Sequence, residues 1–344
     1  MVRPLAGAFG GVYDQGGTGT AGRPRPGLRG RLPHGILLNV CPCISRTEAV
    51  RLKRFEYFAP TSLEEAIALL MEYQEGGRPL AGGTDLLPQM KERGRPVRTI
   101  VSLRRLRPLH GHGPLPDGGL RIGAMETAGA VAWDPWVQRH FPGIADGANL
   151  IGSIQIRNRA TLGGNICNAA PSADGVPALI AYGAQVRIAG PQGERTLPLE
   201  AVFRGPGQTV LGPGEILVEI VVPPAPPLSG SAYLRHVPRM EMDIAVVGVG
   251  VLLRLDDDRR TIRDARVVLS AVAPTPIRSP RAEAALIGAP ADEAAFRAAG
   301  EGAAADARPI SDVRASADYR RELLKVYTRR AAAIALARAR QSLS

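Results

Sequence analysis

Two glycine pairs, each in an unusual local sequence, constrain this chain more than any other feature. One lies in residues 155–174, Q-I-R-N-R-A-T-L-G-G-N-I-C-N-A-A-P-S-A-D, where Ala160, Thr161, Leu162, Gly163, Gly164 and Asn165 follow directly on Arg157 and Arg159. The other lies in residues 80–87, where Leu80, Ala81, Gly82, Gly83, Thr84, Asp85 and Leu86 run consecutively. Adjacent glycines let the backbone turn through conformations closed to residues that carry a Cβ, so that consecutive N–H groups can converge on an anion. The Thr hydroxyl and the Asn amide add donors. Two such loops can grip a diphosphate from both sides. Neither has the G-x-G-x-x-G spacing or runs on into G-K-S/T, which disfavours a Rossmann dinucleotide site and a P-loop.

The elements around the first loop suit ligand binding. Residues 61–65, T-S-L-E-E, offer overlapping capping boxes, Thr61 with Glu64 and Ser62 with Glu65, ahead of apolar Ala66, Ile67, Leu69 and Leu70. A helix should therefore run to about Tyr73. Gly76 and Gly77 end it, residues 78–80 read as a short strand, and the loop opens a helix with Asp85 near its N-terminus and Pro88 in its first turn. Strand, loop and helix in that order aim backbone donors at a ligand. Strands at 99–103 and 119–123, a helix around 127–136 and another from about 145 lead to the second glycine pair. A helix at 176–181 and strands at 185–189, 194–197, 207–211 and 216–222 follow. Pro223, Pro224, Pro226 and Pro227 close that run, because proline cannot donate to a sheet ladder. Residues 244–255 and 261–273 form an antiparallel pair about the turn at Asp256, Asp257 and Asp258, and helices at 281–286, 292–305 and 316–340 finish the chain. The order of strands followed by helices is α+β.

Composition narrows the function classes. A chain of 344 residues holds two or three domains, and 45% hydrophobic with 22% charged residues is ordinary for a globular protein. No apolar run approaches the roughly 20 residues that span a bilayer. The longest early one, residues 35–40, falls short of a signal-peptide core of about 7–15 residues, so a cytoplasmic protein with no membrane span is expected. The net charge of +11 raises the question of nucleic acid. Only three lysines occur (Lys53, Lys91 and Lys325), the arginines are scattered through every segment, and no helix-turn-helix, zinc-finger or RNP pattern accompanies them, so nucleic acid is set aside as a partner. A generally positive field favours an anionic cofactor or an acidic partner subunit. Three cysteines without a C-x-x-C spacing give no zinc or iron–sulfur centre, and Cys167 reads as a small buried apolar residue. Residues 1–49, rich in Gly, Pro and Arg with no period, read as a disordered extension or a start assigned too early, with Val50 as the true beginning.

Taken together, Q-I-R-N-R-A-T-L-G-G-N followed by P-S-A-D, with P-L-A-G-G-T-D-L-L-P upstream, resembles the FAD-binding medium subunit of the molybdenum hydroxylases, the xanthine dehydrogenase and carbon monoxide dehydrogenase family. The resemblance runs from about Lys53 to the C-terminal helix. It implies a PCMH-type FAD-binding domain at 50–227, made of two α/β subdomains at about 50–105 and 106–227, and a C-terminal domain of antiparallel sheet and helices at 228–344. It also implies that Leu80–Leu86 and Ala160–Asn165 hold the FAD diphosphate. Asp174 matches a family aspartate at the cofactor, and a carboxylate beside a diphosphate must bond to hydroxyl or amide groups rather than phosphate, which implies a role in orienting the ribose or adenine. Leu211 matches an apolar position packed on the ring systems. Arg235 stands where the family usually has a Lys near the flavin, which keeps the charge and changes its geometry. Ile151 falls where dehydrogenases of the group stack an aromatic ring on the isoalloxazine, so NAD is not assumed as acceptor. No His occupies the first loop, which implies non-covalent FAD, and the cysteine-rich insertion of benzoyl-CoA-type reductases is missing.

The implied function is an oxidoreductase subunit for electron transfer. Substrate is hydroxylated at molybdopterin on a large subunit, electrons pass through 2Fe–2S clusters on a small subunit, and FAD on this chain hands them to NAD, a quinone or another acceptor. The assembly would be a heterotrimer or its dimer. No catalytic side chain and no metal ligand is assigned to this chain, since the flavin carries the chemistry. The alternative is a stand-alone FAD-dependent oxidase of the same cofactor-binding fold. It requires a large substrate-facing domain, and the region after Pro227 is short and poor in Tyr and His.

Overall fold

Three larger sheets and a two-stranded one organise the described residues, and the glycine segments lie where the first two adjoin. The computed structural model describes residues 52–74, 76–92, 97–239 and 242–341. All of them belong to one compact unit, Val50–Ser344. The expectation about residues 1–49 lies outside the described residues. The first sheet collects β1 (Glu56–Phe58), β2 (Gly77–Leu80) and β3 (Thr99–Ser102) in the order β1-β3-β2, all parallel, with α1 (Leu63–Glu72) and α2 (Leu86–Glu92) as crossovers. The capping boxes resolve into one. The Ser62 hydroxyl accepts from Glu65 N at 3.2 Å, and the Glu65 carboxylate reaches back to Thr61 N at 3.0 Å. Strand β1 went unread because three residues are too few to display a period. Leu80, Leu86 and Leu87 pack on Met90, Val97 and Ile100 in a small core beneath the first loop.

The second sheet is antiparallel throughout, in the order β4-β5-β10-β6-β7. Its strands are β4 (His112–Pro114), β5 (Leu120–Gly123), β6 (Gln185–Gly190), β7 (Gly193–Pro198) and β10 (Ile216–Val222), with the small hairpin β8 (Phe203–Gly205) and β9 (Gln208–Thr209) beside it. Six short helices intervene: α3 (Ala128–Trp133), α4 (Pro135–His140), α5 (Pro142–Asn149), α6 (Ile154–Arg157), α7 (Leu162–Asn168) and α8 (Pro177–Ala181). The helix expected across 127–136 is two. The Asp134 carboxylate accepts from Val137 N at 2.9 Å and Pro135 takes the first position of α4, so a new N-terminus interrupts the run. The strand expected at 207–211 contracts to Gln208–Thr209, which leaves Leu211 in the connection beyond it.

The third sheet runs β11 (Ser229–His236), β12 (Val247–Leu255), β13 (Ile262–Ser270) and β14 (Ile277–Arg278) in sequence order, antiparallel, and carries α9 (Pro280–Leu286), α10 (Glu293–Asp306) and α11 (Ala317–Gln341). The antiparallel pair read from sequence is its centre, although β12 begins at Val247 and β13 ends at Ser270. Strand β11 was not read because Ser229, Gly230, Ser231 and Ala232 carry almost no hydrophobic signal. Their smallness serves packing. A Cβ on Gly230 would lie 2.2 Å from the Ala335 carbonyl oxygen and 2.3 Å from Ala339 N, so α11 rests directly on the strand backbone. Gly230→Ala should therefore destabilise the protein by about 1–3 kcal/mol, the usual cost of overpacking. Scanning calorimetry would read this as a Tm lower by several degrees; an unchanged Tm would mean that α11 can ride away from the sheet. Among the described residues no helix is long and apolar enough to cross a membrane.

Candidate functional site

The two glycine segments press against one another. A Cβ on Gly82 would lie 2.0 Å from the Arg159 carbonyl oxygen and 3.1 Å from Ala160 Cα, so only glycine lets these backbones touch. Side chains continue the seam. Asn168 Nδ2 donates to Asp85 Oδ1 at 3.2 Å, and Gln89 Nε2 donates to Asn168 Oδ1 at 3.3 Å, tying α2 to α7.

The segments nevertheless offer different chemistry. In the first, Gly83 takes the left-handed backbone (φ 78°), which only glycine adopts freely. Among the described residues the N–H groups of Ala81, Gly82, Gly83, Thr84, Asp85 and Leu86 find no protein acceptor. That is a row of available backbone donors ahead of a helix, the arrangement that binds phosphate. The second segment differs from expectation. Gly163 and Gly164 form no left-handed turn; they are the first turn of α7, capped by Thr161. Its N–H groups already have acceptors: Leu162 N on Glu126 O at 3.1 Å, Gly163 N on Ala124 O at 3.1 Å, Gly164 N on Thr161 Oγ1 at 3.0 Å and Asn165 N on Thr161 O at 2.9 Å. Gly163 is needed for proximity, since a Cβ there would lie 2.5 Å from Ala124 O.

What the second segment presents is therefore side-chain chemistry. The Asn165 carbonyl oxygen is buried with no partner among the described residues, against Gly175, where a Cβ would approach it to 2.9 Å. A buried acceptor without a donor is costly unless a ligand supplies one. The Thr161 hydroxyl accepts from Gly164 N and keeps its own proton to donate. Ile151 is buried, with its Cδ1 near Gly175, and its carbonyl accepts from Arg157 Nη1 at 3.3 Å. Arg157 Nε is buried without a partner among the described residues. Leu211 and Ala81 pack, half-buried, on the same core that includes Ile151, Ala160 and Leu162. Leu80 and Leu86 turn their side chains into the small core beneath the first loop, so what they bring to the site is backbone.

Asp174 and Arg235 are brought together, and sequence reasoning did not pair them. The Asp174 carboxylate is buried, accepting from the Tyr233 hydroxyl at 2.8 Å on Oδ1 and from Arg235 Nη1 on Oδ2. Burial pushes its carboxyl up to about 6, while the Arg235 charge and the Tyr233 hydrogen bond pull it down. Burial likewise raises the Tyr233 hydroxyl well above its usual value. Tyr233 was missed as a site residue. The available signal was its place two residues before Arg235 on one strand, which puts both side chains on one face. Cys167, expected to be buried, exposes surface on α7, while the protein packed around its thiol pushes that group up to about 12.

Residues 53–225 match the family described as the FAD binding domain in molybdopterin dehydrogenase, and residues 232–335 match the CO dehydrogenase flavoprotein C-terminal domain. The xanthine dehydrogenase FAD-binding subunit of Escherichia coli O157:H7 is 37% identical over 82% of this chain and 96% of its own length. The carbon monoxide dehydrogenase medium chain of Hydrogenophaga pseudoflava is 36% identical over 83% of this chain and 98% of its own. Among solved structures, carbon monoxide dehydrogenase from H. pseudoflava superposes with a TM-score of 0.80 at 36% identity, covering 84% of this chain and 99% of that one. Quinoline 2-oxidoreductase from Pseudomonas putida 86 gives 0.78 at 29% identity, covering 86% and 100%. The fold and the matched families define a flavoprotein of the oxidoreductases. The chain belongs to the family of FAD-binding subunits of the molybdopterin dehydrogenases.

The donors of residues 81–86, the Thr161 hydroxyl and the unpartnered Asn165 oxygen fit FAD, which brings phosphate acceptors together with hydroxyl and ring N–H donors. Gly164 lies beside the Thr161 hydroxyl, across from the first loop. A Cβ there would meet Thr161 Oγ1 at 2.8 Å and otherwise only Ala81 Cβ at 3.8 Å, in the gap between the segments. Gly164→Ala should leave the FAD-free protein within about 1 kcal/mol of wild type, because alanine favours the helix. In a fluorescence titration it should weaken FAD about tenfold, or about 1.4 kcal/mol. A variant that binds FAD normally would show that nothing approaches this gap.

Proposed function

We propose that this chain is the electron-transfer subunit of a molybdenum hydroxylase, accepting electrons from the 2Fe–2S clusters of a small partner subunit and passing them to an external acceptor. Substrate oxidation belongs to a large molybdopterin-binding partner. The observation that carries this reading is the division of chemistry across the seam, with backbone donors on one side and an unpartnered buried Asn165 acceptor on the other, in a chain that matches a carbon monoxide dehydrogenase medium chain over 98% of that relative's length. Bound FAD supplies the redox chemistry. The protein's own residues bind and orient. The N–H groups of 81–86 and the Thr161 hydroxyl hold the diphosphate, Asn165 accepts a hydrogen bond, and Ile151 and Leu211 shape the apolar wall. Asp174 and Arg235 form the charged pair behind that wall. The first loop holds no histidine or cysteine to link a flavin, which supports non-covalent binding.

The test is purification of the native protein from its source. The expected result is a complex that contains this chain, a molybdopterin-bearing large subunit and a small iron–sulfur subunit, with flavin that heating releases and that is bleached by the reduced small subunit. A yellow protein that elutes alone and oxidises a substrate by itself would replace this reading with the stand-alone oxidase.

A further inference from the structure

The C-terminal sheet meets the cofactor-binding half through several buried polar contacts: Gly143 N donates to the Ser231 hydroxyl at 2.9 Å, the Ser231 and Tyr182 hydroxyls lie 2.7 Å apart, and Tyr233 reaches Asp174. Tyr233, on β11, is the largest fully buried side chain among the described residues. Its hydroxyl donates to Asp174 at 2.8 Å and lies 3.5 Å from Ser270 Oγ. Room for that hydroxyl depends on Gly248 of the adjacent strand, where a Cβ would lie 2.4 Å from it. The segment that Tyr233 holds is fixed on its other sides as well. Ala271 N donates to Pro171 O at 2.7 Å, and the Asp174 carbonyl oxygen abuts Gly147 of α5, where a Cβ would come within 2.6 Å. Gly175, the next residue, is the one that packs on the unpartnered Asn165 oxygen and on Ile151.

We infer that Tyr233 is a positioning residue for the cofactor site: with Arg235 it holds the segment of Asp174 and Gly175 against Asn165, so that the C-terminal sheet completes a site whose loops lie in the other half of the chain. This rests on the reading of residues 81–86 and 161–165 as the FAD site. Removing the hydroxyl leaves the Asp174 carboxylate with Arg235 alone, on one oxygen, so that the side chain can turn about that contact and Asp174 and Gly175 can shift between the flanking anchors at Pro171 and Gly147. Gly175 then no longer fixes the direction in which Asn165 presents its oxygen. The hydroxyl also helps to keep the buried carboxylate charged opposite Arg235.

The test uses the full chain stripped of FAD, titrated with FAD by fluorescence, with the Tm of each stripped protein measured in parallel. Tyr233→Phe should weaken FAD about tenfold. Asp174→Asn should weaken it at least as much, and the double variant should be no worse than Asp174→Asn alone, because the hydroxyl acts through that carboxylate. Gly230→Ala, which disturbs the same sheet away from Asp174, should lower the Tm and leave the Kd unchanged. If Tyr233→Phe is insoluble, Arg235→Lys, which keeps the charge and alters the fork, takes its place in the same comparison. A Tyr233→Phe Kd within twofold of wild type overturns the inference, as does a tenfold loss that persists on top of Asp174→Asn. Wild-type protein that failed to bind FAD at all would instead overturn the reading of the loops.

Discussion

Gly82→Ala should purify nearly colourless, with FAD bound at least about a hundredfold more weakly than in wild type. The methyl group would point at the Arg159 carbonyl oxygen from 2.0 Å, with the Arg159 carbonyl carbon at 2.8 Å. Both atoms are backbone, so no rotamer change relieves the clash; the two segments must part. Overpacking of this kind costs about 1–3 kcal/mol and sometimes more. Here that cost falls on the spacing between the first loop's N–H row and Thr161, the dimension a diphosphate must match. A loss near 3 kcal/mol is about a hundredfold in Kd. The ratio of flavin to protein absorbance after gel filtration gives the first reading, and titration of the stripped protein gives the Kd. Full flavin occupancy in Gly82→Ala would mean that the seam opens without consequence and that the segments bind no common ligand.

The contrast between the two glycine segments shows what sequence can and cannot reveal. The first was legible because its signals are local: a strand of three or four residues, two glycines, then Asp85 and Pro88 at a helix start. The second uses the same residue types for a different end. Glycines after a threonine read equally as a turn or as the first turn of a capped helix, and the choice is made by β5 and the residues after it, whose Ala124 backbone lies where a Cβ of Gly163 would go. No local pattern carries that information. The junction of Asp174 with Tyr233 and Arg235 was hidden for the same reason, since it joins a loop of one sheet's territory to a strand of another, and β11 itself is too poor in large apolar residues to register. The resemblance named both Asp174 and Arg235 but gave no reason for them to meet. The division into a cofactor-binding half and a C-terminal sheet with helices was legible because Pro223 to Pro227 interrupts strand-forming sequence and the long helix from Ala317 keeps a recurring apolar face.

Asp174→Ala should cost about 3–5 kcal/mol, because it leaves the Arg235 guanidinium buried without its counter-charge and the Tyr233 hydroxyl without its acceptor. The dependence of that cost on pH tells how the junction is built. In an ordinary ion pair the carboxyl is depressed, so acid protonates it, breaks the pair and narrows the gap between wild type and variant. Here burial outweighs the partners and the carboxyl is raised to about 6, against about 3.9 in an unfolded chain. Between these values the folded protein holds a proton that the unfolded chain has released. The stability from this group is therefore fully present below about pH 4 and is lost as pH rises through 6. Urea unfolding of wild type and Asp174→Ala at pH 7.5, 6 and 5 should show the gap widening towards acid, by a total on the order of 3 kcal/mol once pH 4 is reached. A gap that narrows on acidification would mean that the Arg235 charge, and not burial, governs the carboxylate, and that the junction is held as a charged pair throughout the neutral range.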